Sequence, residues 1–126
     1  AVWRWVLARV SAALPYQRLR ANVRVVREII GSSPGLEALE GHTPHVLSAL
    51  LRVLESTRRH ELLPEIVPVF SAVAQRAPAE FSASFQDSVD LLLGWAVDVK
   101  LPDEHRSVIS AAFASFSAQW RAPQHR

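Results

Sequence analysis

Apolar residues recur along this chain at the three-and-four spacing of a helix almost from end to end, and no stretch alternates like a strand. The pattern predicts a first helix over about residues 2–14, which stops where Pro15 disfavours a helical Leu14. A second runs over about 16–30, with Leu19, Val23, Val26 and Ile30 on one face. A third covers about 44–58, with Leu47, Leu50, Leu51 and Leu54 on its buried side. The stretch "ELLPEIVPVFSAVAQRA" is a fourth, in which Pro64 suits the first turn and Pro68 marks a later start or a kink. A fifth covers 85–99. A sixth follows "LPDE", with Ile109, Phe113, Phe116 and Trp120 in register.

The breaks between these segments are short. Residues 31–42, which contain "GSSPG", are the most linker-like, and Thr43 with Pro44 then supplies a cap and a first helical residue. Residues 121–126 read as a frayed tail. Two of the apolar patterns echo downstream. Leu47, Leu50, Leu51 and Leu54 fall over Val89, Leu92, Leu93 and Ala96, while Leu19, Val23, Val26 and Ile30 fall over Leu63, Val67, Phe70 and Ala74. Such offsets match the period of HEAT and armadillo arrays, roughly 40–47 residues. The expected fold is therefore all-α, an α-solenoid of about six helices in antiparallel pairs. A compact helical bundle is the competing architecture.

With 126 residues, the chain has the length of one ordinary domain, and 49% apolar content is enough to build a core. Charges interrupt every apolar run before it reaches membrane-spanning length, and the first residues carry arginines where a secretory signal would be apolar. There is no Cys, so disulfides, thiol nucleophiles and Cys-based zinc sites are excluded. The chain has no Met and opens directly on a helical pattern, which suggests a segment of a longer polypeptide. Net charge is only +2, yet it is unevenly spread. Residues 1–30 hold six arginines against Glu28, and residues 80–104 hold six acids against Lys100. That asymmetry points to electrostatic partners.

The stretch "FQDSVDLLLGWAVD" tests for carboxylate chemistry. On a helical wheel Phe85, Val89, Leu92, Ala96 and Val99 share one face, widened by Leu91, Leu93, Trp95 and Val97. Asp87, Asp90, Gly94 and Asp98 collapse onto one thin polar strip. The helix should thus be buried over most of its girth, with Asp87, Asp90 and Asp98 facing solvent or a partner. No further ligand stands nearby in sequence, and a negative first turn is favoured by the helix dipole in any case. His42 and His45 straddle a helix start without a third ligand at zinc spacing. No catalytic triad pattern or phosphate-binding glycine loop appears, so no catalytic, cofactor or metal residues are assigned. Arg20, Arg24 and Arg27 form a basic ridge beside the buried seam of the second helix, with Arg18 at its start, and Arg24 can pair with Glu28. This ridge is the candidate for an acidic or phosphate-bearing partner, RNA included, although no aromatic residues interleave there for base stacking.

The residues Phe85, Asp87, Val89, Asp90, Leu92, Gly94 and Trp95, followed by "HRSVISAAFASFSAQW" with Phe116 and Trp120, resemble a segment of one known family. It is the N-terminal helical-repeat region of the SMG-type kinase of nonsense-mediated mRNA decay, a phosphatidylinositol-3-kinase-related Ser/Thr protein kinase, in its plant or algal form. Over 43–80 the likeness is one of generic repeat character, and over 1–42 no match is claimed. The resemblance implies a scaffold that docks regulatory subunits, in an intracellular, cytoplasmic and nuclear setting, with the kinase domain far downstream. It carries no catalytic residue onto this chain, which lacks the Gly-rich loop, catalytic-loop Asp and Asn and metal-binding Asp of kinases. Residues 1–126 would form one helical-repeat segment, whose ends expose apolar faces meant for the next repeat. The alternative is a free-standing all-α adaptor or nucleic-acid-binding module that uses the Arg18–Arg27 ridge.

Overall fold

A computed structural model describes residues 2–11 and 13–120, apart from the side chains of Val2 and residues 118–120. The described residues are all-helical, without a strand. In chain order the helices are α1 (Val2–Arg9), α2 (Tyr16–Gly31), α3 (Ser33–Ala38), α4 (Thr43–Thr57), α5 (Leu63–Arg76), α6 (Pro78–Phe81), α7 (Phe85–Ala96) and α8 (Asp103–Trp120). Two 3-10 turns, His60–Leu62 and Ser82–Ser84, lead into α5 and α7. The six helices predicted from periodicity are all present. The tail expected at 121–126 lies outside the described residues.

Local chemistry explains most of the boundaries. The first helix ends at Arg9, earlier than predicted, because Ser11 organises a turn. Its hydroxyl accepts the Ala13 N–H at 3.2 Å and its carbonyl accepts the Leu14 N–H at 3.1 Å. Pro15 then stands extended at φ −60°, ψ 149° and launches α2. The stretch 31–42 is not a bare linker. Ser32 accepts the Gly35 N–H at 3.1 Å and Pro34 occupies the first turn, so the chain turns straight into α3. That turn needs glycine at 35, since a Cβ there would run into the Ile29 carbonyl oxygen and lie 2.7 Å from Ser32 Oγ. Arg58 closes α4 in the left-handed conformation, φ 54°, its N–H bonded to the Leu54 carbonyl at 3.2 Å. Helix α5 starts at Leu63 and continues through Pro68.

Helix α5 lies at the centre of the molecule and packs against both α2 and α8. Ile66, Val67, Val69, Phe70, Val73 and Ala74 are all buried, covering more than one side of the helix. The face they meet on α2 is Leu19, Val23, Val26 and Ile30, all buried as the spacing predicts. On α8 it is Ile109, Ala112 and Phe116. Helix α1 packs against both α2 and α4, and α4 also touches α5, α6 and α7. Under α6 the rings of Phe81 and Phe116 lie 4.8 Å apart, with Phe85 edge-on to Phe81 at 6.2 Å. Phe81 and Phe116 are fully buried, and each contributes ~1.5–3 kcal/mol of transfer free energy.

Helix α7 departs from its wheel. Its buried residues are Ser88, Leu92 and Trp95, continuing from Ser84. Ser88 satisfies its own hydroxyl by donating to the Ser84 carbonyl at 2.6 Å. The seam has rotated by about one residue toward the small serines, which let α7 sit close to its neighbours. Phe85, Val89 and Ala96 are only half-buried, and Leu93, Val97 and Val99 are 47%, 75% and 92% exposed. The expectation that α7 is covered over most of its girth is therefore corrected: one flank faces solvent.

Candidate interaction surface

The arginines of the basic ridge do not act together. Glu65 on α5 takes two of them: Arg24 donates from Nε and Nη2 to its two carboxylate oxygens, both at 3.0 Å, and Arg20 donates from Nε at 3.3 Å. The anticipated Arg24–Glu28 pair on α2 does not form, because Glu65 offers a bidentate acceptor across the helix interface. Glu65 is 9% exposed. The Arg24 hydrogen bonds hold its carboxyl below the ordinary 4.5; burial opposes them, and Arg20 adds to them. The same bonds raise Arg24. Arg18 and Arg27 remain exposed on α2, and Arg27 stands with Glu28 at the edge of a groove of about 670 Å³ between α2, α5 and α8.

The three aspartates of the α7 strip also separate. Asp87 and Asp90 are exposed and line a groove of about 460 Å³ between α7 and α4, together with Glu55, Arg52, Leu51 and Leu91. Asp90 accepts a hydrogen bond from Gln86 Nε2 at 2.9 Å. Asp98 instead folds onto the turn after the helix, where it accepts the Lys100 N–H at 2.9 Å. Gly94, on the same strip, has open space where a Cβ would sit. The junction beyond is held by Arg106 of α8. Its guanidinium donates to the Ala96 carbonyl at 3.1 Å, the Asp98 carbonyl at 2.7 Å and the Asp103 carboxylate at 2.9 Å. The Ala96 carbonyl at the end of α7 thus finds a donor on the next helix, and so does the Asp98 carbonyl just beyond it, which also accepts the Leu101 N–H at 3.1 Å.

The histidines fall into two pairs. His42 stacks on Trp3 with ring centroids 4.3 Å apart and His45 stands 6.0 Å from the same ring, which ties α1 to the start of α4. His60 and His105 bring their Nδ1 atoms to 2.9 Å, a contact that joins the turn before α5 to the first turn of α8. Among the described residues, no three His, Cys, Asp or Glu side chains gather as a metal site would require. Among them also, no helix is long and apolar enough to cross a membrane.

No family model matches the chain, and no solved structure matches it. It is 25% identical over 121 residues to the serine/threonine-protein kinase SMG1 of Danio rerio. The relationship is a distant one. The match covers 96% of this chain and 3% of the kinase, so the chain spans a small part of the relative's length.

The surfaces found here were only partly marked in sequence. The Asp87–Asp90 strip was legible from helical spacing, but its groove partner Glu55 lies a helix away and follows from packing alone. Glu65 lies 41 residues from Arg24, and nothing local links the two. The exposed flank of α7 was hidden by its own hydrophobicity, because an apolar wheel does not say which side finds a neighbour.

Proposed function

We propose that the chain is a non-catalytic helical-repeat scaffold segment of a protein kinase acting in nonsense-mediated mRNA decay, where it makes protein–protein contacts. The observation that carries this reading is the match to serine/threonine-protein kinase SMG1, which runs over nearly the whole chain. The order of packing supports a HEAT-like arrangement: α2 lies against α5 and α5 against α8, each helix meeting the next layer. The solvent-facing residues of α7 supply a surface for partners. Those partners would be regulatory subunits of the kinase complex, in the cytoplasm and nucleus. The alternative, a phosphate-binding ridge on α2, has lost two of its head groups to Glu65.

The test is the longer reading frame and its product. The frame downstream of residue 126 should encode the Gly-rich loop, catalytic-loop Asp and Asn and metal-binding Asp of a kinase. Deleting residues 1–126 from that protein should spare phosphorylation of a short Ser/Thr peptide while removing co-purifying subunits. A frame that closes without a kinase domain, or a deletion that leaves the complex intact, overturns the reading.

A further inference from the structure

Helix α7 offers solvent two kinds of surface side by side. Leu93 and Val97 lie one and two turns beyond Asp90 on the same outer flank, and Val99 extends this apolar ledge into the following turn. Gly94 lies beside Leu93 with nothing within 4 Å of where its Cβ would be, so a partner can approach the helix backbone closely there. On the other side of Asp90, the groove against α4 has Leu51 and Leu91 in its lining and Glu55, Asp87 and Asp90 as its carboxylates. Among the described residues, Arg52 is the one cation lining it, which leaves the groove two negative charges in excess. Neither Glu55 nor Asp87 spends its carboxylate on an ion pair within the described chain. The larger groove between α2, α5 and α8 carries Arg27 and Glu28 together, and so selects no sign of charge.

We propose that the ledge and groove of α7 dock a basic amphipathic helix of a partner protein. The proposal rests on reading the chain as an interaction segment, and adds the face used and the chemistry of its occupant. Apolar residues of the incoming helix, spaced three and four apart, cover Leu93 and Val97. Its Lys or Arg side chains, a turn away, lay their aliphatic stems over Leu51 and Leu91 and bring their charges to Glu55, Asp87 and Asp90. Nucleic acid is the wrong sign for this groove. A second copy of the chain would use Arg18, Ala21 and Val25, an exposed run on α2, and is distinguished by experiment.

The probe is a fluorescein-labelled helical peptide of about 18 residues, with leucines on one face and lysines on the other. It should bind one peptide per chain, with an anisotropy rise that weakens as salt is added, and a version with Glu for every Lys should not bind. Asp87→Asn with Asp90→Asn should weaken binding about fivefold and remove most of the salt dependence. Leu93→Ser with Val97→Ser should weaken it about tenfold. Both pairs are exposed, so circular dichroism should show the same cooperative melt as the parent chain, shifted by no more than the helix-dipole contribution of Asp87. Peptide binding that neither pair alters, or no binding with the melts intact, overturns the proposal. So does a concentration-dependent dimer that Asp87→Asn with Asp90→Asn disperses, since the occupant would then be a second copy. A downstream kinase domain without peptide binding leaves the scaffold reading standing and removes only this surface. Binding without a kinase domain does the reverse.

Discussion

Two helical glycines have opposite reasons to be there. At Gly35 a methyl group would strike the Ile29 backbone, because α3 turns back tightly over the last turn of α2. Gly35→Ala should therefore destabilise the chain by about 1–3 kcal/mol, the range for forcing extra volume into a packed site. At Gly94 a methyl group meets nothing. Gly94→Ala should stabilise by up to ~1 kcal/mol through helix propensity alone. Thermal melts of the two variants should move in opposite directions, and a shared direction would refute the packing argument. Glycine in a helical pattern looks the same at both positions in sequence. Only the tertiary approach of Ile29 tells them apart.

Between elements, arginine-centred contacts carry much of the polar part of the fold, those at Glu65 and Arg106 among them. Glu65 binds a proton less readily in the folded chain than in the unfolded one, because Arg24 and Arg20 favour its ionised form. Its stabilising effect is therefore complete above the ordinary 4.5 and is lost as pH falls through the lowered folded value. The gap in melting temperature between the parent chain and Glu65→Gln should hold from neutral pH down to the ordinary 4.5 and narrow as pH falls further, through the lowered folded value. A gap that persists in acid would place the effect in packing. Arg106 spans three acceptors with one planar fork, a geometry that an ammonium cannot reproduce. Arg106→Lys should cost about 1–2 kcal/mol. It should also speed amide exchange selectively at the end of α7 and in the turn after it, which locates the loss. The helices that such contacts join were legible from periodicity. The phase of α7 was not, because a run with apolar residues on most sides fits several orientations and Ser84 and Ser88 decided among them. Helices α3 and α6 are too short to display a period at all.

At the scale of the whole molecule, α5 is the helix that the others share. Phe70 is buried within it, and truncation to Ala should cost about 3–5 kcal/mol. If the helices form one cooperative core, Phe70→Ala lowers a single transition, and circular dichroism and tryptophan fluorescence melts superimpose. Separated transitions would mean that the helices do not form one cooperative core. All-helical character could be read directly from the apolar spacing. Which helix lies at the centre could not, since α5 and α7 have similar apolar content and differ in how many neighbours they meet.

The contact between His60 and His105 also fixes something about hydrogens. Two neutral imidazoles can share an Nδ1···Nδ1 approach of 2.9 Å only if one ring donates there and the other accepts. The two rings must then be opposite tautomers, with the donor leaving its Nε2 bare and the acceptor carrying its proton on Nε2. While both rings are neutral, a pair of identical residues thus carries one hydrogen-bond acceptor and one donor on its two Nε2 atoms.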